Sequence, residues 1–270
     1  MYKSYYGMEY NPFKKNNNNL RPKETYKTAD YKNMLARLEH LKKLGGIGLF
    51  TGLPGTGKTY SLKEFAKELN PSLYKVVYIP LSTVTVLEFY KSLAYGLDLD
   101  PPSKKVDIFK VIQERIITLS KDKRIMPVFI IDEAQYLQTG ILNDIKLLLN
   151  FEMDSKNYAA FILAGQPVLN NILSKQVHEA LKQRIVINYN FSGIGKEESK
   201  EYIKTRFISC GVHTEIFEEN ALEAISLYGN GSIRKLNTIV DKCLLIGYME
   251  KVNIIDTEIV MNAQNEIELI

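Results

Sequence analysis

Gly52-Leu53-Pro54-Gly55-Thr56-Gly57-Lys58-Thr59 is the stretch from which the fold is read. It fills every fixed position of the phosphate-binding pattern G-x-x-x-x-G-K-[ST]. The apolar run before it, Ile47-Gly48-Leu49-Phe50, reads as a buried strand, and Ser61-Leu62-Lys63-Glu64-Phe65-Ala66 after it reads as a helix. Glycines let the backbone N–H groups curl around phosphates, and the helix N-terminus adds the positive end of its dipole. Lys58 is placed to reach the β- and γ-phosphates, and the Thr59 hydroxyl to ligate Mg²⁺. Tyr60 completes the nucleotide-contacting stretch. The expected cofactors are ATP and Mg²⁺.

Outward from this loop, strands and helices alternate. Tyr31 to Leu44 has helical spacing and stops at Gly45-Gly46. Tyr74 to Ile79, Pro127 to Ile131, Ala159 to Ala164 and Ile185 to Ile187 read as further strands, separated by helical stretches Leu87–Leu97, Asp107–Leu119 and Leu142–Phe151. That alternation predicts an α/β three-layer domain around a five-stranded parallel sheet. After Phe191-Ser192-Gly193 the pattern turns to helices only: Lys196–Ser209, Glu218–Tyr228, Ser232–Met249 and a short one at Thr257–Ala263. The expected organisation is an N-terminal arm over 1–30, an α/β core over 31–192 and a helical subdomain over 193–270. The arm reads as extended with turns, apart from the apolar clusters Tyr5-Tyr6-Gly7-Met8 and Asn11-Pro12-Phe13.

Strand ends carry the remaining chemistry. Ile130-Ile131-Asp132-Glu133 ends the third strand in two acids. Asp132 is expected to hold the Mg²⁺ shell, and Glu133 to polarise the attacking water. Gln166, in Ala164-Gly165-Gln166-Pro167, would orient that water if the third and fourth strands are neighbours. Arg184, before the fifth strand, and Arg234, at the start of a helix, are guanidinium candidates for neutralising charge on the γ-phosphate.

Bulk properties exclude little but agree. Of 270 residues, 45% are hydrophobic and 24% charged, an ordinary globular balance. No apolar run approaches the ~18 residues needed to span a bilayer, and the first residues do not form a signal peptide. Cys210 and Cys243 lack metal-ligand spacing and read as reduced thiols, which suits a cytoplasmic protein with no membrane partner. Residues 1–45 hold ten Lys/Arg against four acids, whereas the chain from Glu250 on holds five acids against Lys251. Such asymmetry fits a polyanionic partner, though a net charge of +4 does not diagnose one.

Phosphate loop, Asp-Glu strand, polar fourth-strand end, arginine before the fifth strand and a helical lid with Gly-x-x-Arg together resemble the AAA+ ATPases, over about residues 30–265. Within them, Asp132-Glu133-Ala134-Gln135, Gly165-Gln166-Pro167, Gln183-Arg184-Ile185 and the N-terminal aromatic clusters resemble the ExeA-like branch, which includes transposition ATPases of the TnsC and TniB kind. The resemblance implies that Gln166 is the sensor-1 residue, Arg184 an arginine finger acting across a subunit interface and Arg234 the sensor-2 residue. Pro12 and Phe13 would lie near the adenine. Asp-Glu-Ala-Gln also resembles a helicase box, but a helicase needs a second α/β domain where this sequence reads as helix.

The resemblance leaves a secretion ATPase, a DNA-replication loader and a transposition ATPase. A chain ending at Ile270 without a span favours the last: a homo-oligomer, ring or filament, that assembles on double-stranded DNA and recruits a transposase. DNA contacts would be lysines or arginines reaching phosphates. The candidates are Lys91, Lys104, Lys105 and Lys175.

Overall fold

The structure, a computed structural model, describes residues 2–14, 26–80, 83–151 and 157–268. The Asn16–Asn19 run of the arm lies outside them. The strands are β1 (Gly46–Gly52), β2 (Tyr74–Ile79), β3 (Met126–Ile131), β4 (Ala160–Gly165) and β5 (Ile185–Phe191). The helices are α1 (Tyr2–Tyr5), α2 (Ala29–Leu44), α3 (Lys58–Glu68), α4 (Val86–Gly96), α5 (Lys105–Ile117), α6 (Thr139–Leu148), α7 (Val168–Leu173), α8 (Glu179–Lys182), α9 (Lys196–Ser209), α10 (Glu219–Gly229), α11 (Ile233–Met249) and α12 (Thr257–Glu268). They divide into an α/β unit, Tyr31–Leu53 with Lys58–Phe191, and a helical unit, Met1–Asp30 with Pro54–Gly57 and Ser192–Ile270.

In the α/β unit the strands lie in the order β2-β3-β4-β1-β5, with every adjacent pair parallel. Side chains on a strand alternate between faces. Ile47 and Leu49 of β1 and Phe129 and Ile131 of β3 therefore enter one core, with Phe89 and Leu93 of α4, Ile108 and Ile112 of α5, and Ile141 and Ile145 of α6. Phe50, Val128 and Ile130 enter the other, with Met34, Leu38 and Leu41 of α2 and Leu62 and Phe65 of α3. Both faces are covered, which is why these strands read as continuous apolar runs. Phe129 and Phe161 are register partners and stack across β3 and β4 with ring centroids 4.4 Å apart. A Cβ on Gly48 would lie 2.6 Å from Leu41 Cδ2, so α2 packs onto β1 at a distance only glycine permits.

Strand-end order matters most for function. β4 lies between β3 and β1, so the chain ends after Ile131, Gly165 and Gly52 emerge side by side. This is the neighbour relation that Gln166 requires. Two short helices, α7 and α8, have no counterpart in the sequence reading, because one to two turns give too few repeats to show a period. The third-strand helix starts earlier than its hydrophobic spacing suggests, at Thr139 rather than Leu142.

The helical unit has its own core. Ile203 and Phe207 of α9, Leu222 and Ile225 of α10, Leu236, Ile239, Val240 and Leu244 of α11, and Ile259 and Val260 of α12 surround it. Tyr6, Met8 and Phe13 are buried in the same cluster, with the Phe13 ring edge-on to Phe207 at 5.1 Å. The described part of the arm is therefore helix and packed turn rather than extended chain. Its aromatic residues have enough apolar area to offset the entropy of ordering a short segment. Polar ties fix the register: Tyr2 Oη donates to Asp241 Oδ1 at 2.6 Å, Asn11 Nδ2 donates to Tyr2 Oη at 2.7 Å, and Phe13 N donates to Asn11 Oδ1 at 2.9 Å. α12 runs on to Glu268, past the expected Ala263. Cys210 and Cys243 are buried free thiols, and burial pushes them up to about 11 and about 12. No helix among the described residues is long and apolar enough to cross a membrane.

Candidate nucleotide site

β1 is followed without interruption by the glycine loop, and α3 begins at Lys58. Gly55 and Gly57 sit at φ +83° and +102°, the left-handed region that a side chain disfavours. A Cβ on Gly52 would come within 2.5 Å of Phe191 Cβ, so the close approach of β5 also requires glycine at the loop's start. Lys58 is buried at the first residue of α3; its Nζ donates to the carbonyls of Gly52 at 2.7 Å and Leu53 at 2.8 Å. Those two bonds hold the ammonium over the loop entrance. Tyr60 is exposed on α3, its ring 6.1 Å from that of Tyr31.

The end of β3 meets the start of α3. Thr59 Oγ1 donates to Asp132 Oδ2 at 2.7 Å, joining residues 73 positions apart. The other carboxylate oxygen, Oδ1, accepts from the backbone N–H of Glu133 at 2.9 Å. Asp132 is buried, while Glu133 is exposed. Glu133 also adopts φ 53° and ψ 38°, a left-handed conformation that costs a non-glycine residue about 1–3 kcal/mol. Strain of this kind persists where the surrounding structure fixes it, and here it turns the glutamate out of the strand line.

Sequence reasoning missed Tyr78 and Gln135. Tyr78 Oη donates to Asp132 Oδ2 at 3.4 Å, and burial followed by the Asp132 charge pushes its hydroxyl up, keeping it a donor. The signal was available: in Val77-Tyr78-Ile79, the central residue points away from the core that its neighbours enter. Gln135 Nε2 donates to Glu133 Oε2 at 2.6 Å, and Gln135 Oε1 accepts from Gln166 N at 3.0 Å. Buried Thr51, two residues before Leu53, ties the strand ends further. Its hydroxyl donates to Asn190 Oδ1 of β5 at 2.9 Å and accepts from Asn170 Nδ2 of α7 at 3.0 Å.

The α/β unit thus brings together Lys58, Thr59, Asp132, Glu133 and Gln166 of the residues expected at the site. Arg184 directly precedes β5, half-buried, with Nη1 donating to Leu149 O at 3.4 Å. Arg234 belongs to the helical unit, exposed in the first turn of α11. There its N–H donates to Gly55 O at 3.4 Å, and Ser232 Oγ donates to Pro54 O at 3.3 Å. Pro12 and Phe13 are buried in the helical unit. Of the lysines, Lys91 is partly exposed and Lys104 and Lys175 are exposed. Lys105 bonds the buried Asp144 Oδ2 at 2.6 Å and lies over the Tyr90 ring at 5.3 Å.

Residues 41–173 match the family described as the AAA domain. The matched stretch is 133 of the chain's 270 residues. It begins in α2 and ends with α7, so it takes in the glycine loop, Asp132, Glu133 and Gln166. Among curated proteins, the general secretion pathway protein A of Aeromonas hydrophila is 29% identical over 252 residues. That alignment covers 92% of this chain and 45% of the relative, so the chain spans less than half of its length. Among solved structures, Cdc6p of Pyrobaculum aerophilum superposes with a TM-score of 0.68 at 17% identity, covering 94% of this chain and 70% of that one. The Aeropyrum pernix ORC1 protein in complex with DNA gives 0.62 at 16% identity, covering 89% of this chain and 65% of that one. At such identities the superpositions show the fold, the α/β P-loop fold of the AAA+ ATPases. The match over residues 41–173, with the glycine loop and the two acids inside it, is consistent with ATP hydrolysis.

The donor set fits the expected cofactors. Left-handed Gly55 and Gly57 give the loop the kind of backbone that anion-binding turns use. A threonine hydroxyl and an aspartate oxygen in contact offer the hard oxygen ligands that Mg²⁺ takes, alongside phosphate oxygens and water. Mg²⁺, held there, would supply neutralisation of phosphate charge. With nucleotide and ion bound, Lys58 would screen phosphate charge, Thr59 and Asp132 would orient the ion's ligands, and Glu133 would accept a proton from water.

Proposed function

We propose that this AAA domain belongs to a DNA-dependent ATPase that assembles on double-stranded DNA as a homo-oligomer and regulates transposition by recruiting a transposase. The observation that carries the ATPase part is the 2.7 Å contact between Thr59 and Asp132, with Glu133 adjoining it. Glu133 acts as general base, Gln166 orients the water, and Arg184 reaches the γ-phosphate of a neighbouring subunit. Arg234 senses the same phosphate from the helical unit, and Pro12 and Phe13 contribute to the adenine surroundings. Support for DNA comes from the likeness to an ORC1 protein solved in complex with DNA. The transposition role rests on the branch-level motifs at Asp132–Gln135 and Gly165–Pro167 alone.

A second reading has its own observation. The secretion-pathway relative aligns with 92% of this chain, which favours an energy-supplying role in secretion. Steady-state phosphate release with and without duplex DNA separates the two. Stimulation of wild-type turnover by duplex DNA, together with a large ATP-dependent assembly in sedimentation, is expected on the first reading. Arg184→Ala is expected to bind ATP, assemble, and lose about 10³-fold in turnover. A DNA-indifferent, strictly monomeric enzyme would leave the secretion reading standing.

A further inference from the structure

We infer that Gln135 is a positioning residue for hydrolysis: its single amide group holds the Glu133 carboxylate in place relative to the end of β4. The inference rests on the proposed role of Glu133 as the group that polarises water. Its geometry is independent of that role. Gln135 Nε2 donates to Glu133 Oε2 at 2.6 Å, while Oε1 of the same amide accepts from the backbone N–H of Gln166 at 3.0 Å.

Donor and acceptor chemistry makes the bridge selective. A backbone N–H can only donate, and a carboxylate can only accept. A side chain that joins them must accept at one atom and donate at the other. Glutamine does this with one planar group, and the two partners dictate which end is oxygen. A glutamate at 135 would keep the bond to Gln166 N but set a carboxylate against a carboxylate. Alanine would remove both bonds.

Space at the end of β4 is built for the same contact. A Cβ on Gly165 would lie 2.6 Å from Gln135 Oε1 and 3.3 Å from Gln135 N. Gly165 is not in the left-handed region, so its glycine is explained by room for Gln135 rather than by backbone strain. The turn Glu133-Ala134-Gln135 and the strand end Gly165-Gln166 therefore form one interlocked unit. Glu133 already has its backbone turned left-handed, and Gln135 fixes the remaining freedom, that of the side chain. Position matters because a displacement of about 1 Å in a reacting group can cost ~10²-fold in rate.

The test uses the full chain, with duplex DNA present if turnover requires it. Gln135→Ala and Gln135→Glu are made alone, and Gln135→Ala is also combined with Glu133→Gln. Single-turnover phosphate release gives the chemical rate, and a fluorescent ATP analogue gives affinity. Each single variant is expected to lose about 10- to 100-fold in rate, with affinity held within about threefold. In the Glu133→Gln background, Gln135→Ala is expected to cost nothing further, because a residue acting through Glu133 has no effect once that carboxylate is gone. Gly165→Ala should reproduce the rate loss by displacing Gln135.

Unchanged or raised turnover in Gln135→Ala would overturn the inference, as would a full additional loss in the double variant or a loss of affinity as large as the loss of rate. If the alanine variant does not fold, Gln135→Glu decides, since it keeps the volume and the bond to Gln166 N. Normal turnover in Glu133→Gln alone would overturn the role of Glu133 and this inference with it. Normal turnover in Gln135→Ala beside an inactive Glu133→Gln removes only the inference.

Discussion

The ends of β3 and β4 lie next to each other, yet they contribute to the site in different ways. At the end of β3 the contacts are made by side chains: Asp132 bonds Thr59, and Glu133 projects outward from a left-handed backbone. At the end of β4 the contact with Gln135 runs through the main chain, the Gln166 N–H, and through the absence of a side chain at Gly165. A substitution at β3 should therefore remove chemistry directly. One at Gly165 should act by letting the β3 groups move.

Glu133→Gln gives the sharpest contrast. Replacing the proposed general base should lower turnover by about 10²- to 10⁴-fold while ATP still binds. Lys58→Ala should instead lose nucleotide affinity, because the ammonium that neutralises phosphate charge is gone. Equilibrium binding of a fluorescent ATP analogue beside phosphate release separates the two. Similar binding defects in both variants would erase the distinction between them.

A second break point is the stacked pair that joins β3 to β4. Phe129→Ala removes a fully buried ring that stacks on Phe161, and is expected to cost about 3–5 kcal/mol of stability in urea unfolding. If the strand ends are held together by this sheet core, catalytic rate should fall together with stability. Intact turnover in a protein that unfolds at much lower urea would show that the site is held locally instead.

The remaining two predictions contrast neighbouring lysines. Lys105→Ala leaves the buried Asp144 carboxylate without its cation, and is expected to lower stability by about 1–3 kcal/mol. Lys104→Ala breaks no such bond, as its side chain makes no cap contact at the start of α5. If Lys104 touches a DNA phosphate, its loss should weaken duplex binding for all sequences alike. The slope of log affinity against log salt should become shallower by about 0.9. Unchanged slope and affinity would direct the search to Lys91 and Lys175. The two lysines should therefore be tested singly, since a double alanine variant mixes a folding effect with a binding one.

Taken alone, the sequence determined the glycine loop, the parallel α/β core, the acids at the end of β3 and the switch to helices after Ser192. Each of these rests on local rules: residue type at fixed spacing, and strands so buried on both faces that their apolar runs have no polar interruptions. Tertiary structure decided what depends on residues far apart in the chain. It placed β4 between β3 and β1, and buried the aromatic residues of the arm among α9 and α11. It also set Lys105 apart from Lys104, and closed the amide bridge from Glu133 through Gln135 to Gln166. A glutamine two residues after a glutamate carries no periodicity of its own. Its role exists only because the sheet order brings a backbone N–H from 31 residues downstream within hydrogen-bond reach, beside a glycine that leaves it room.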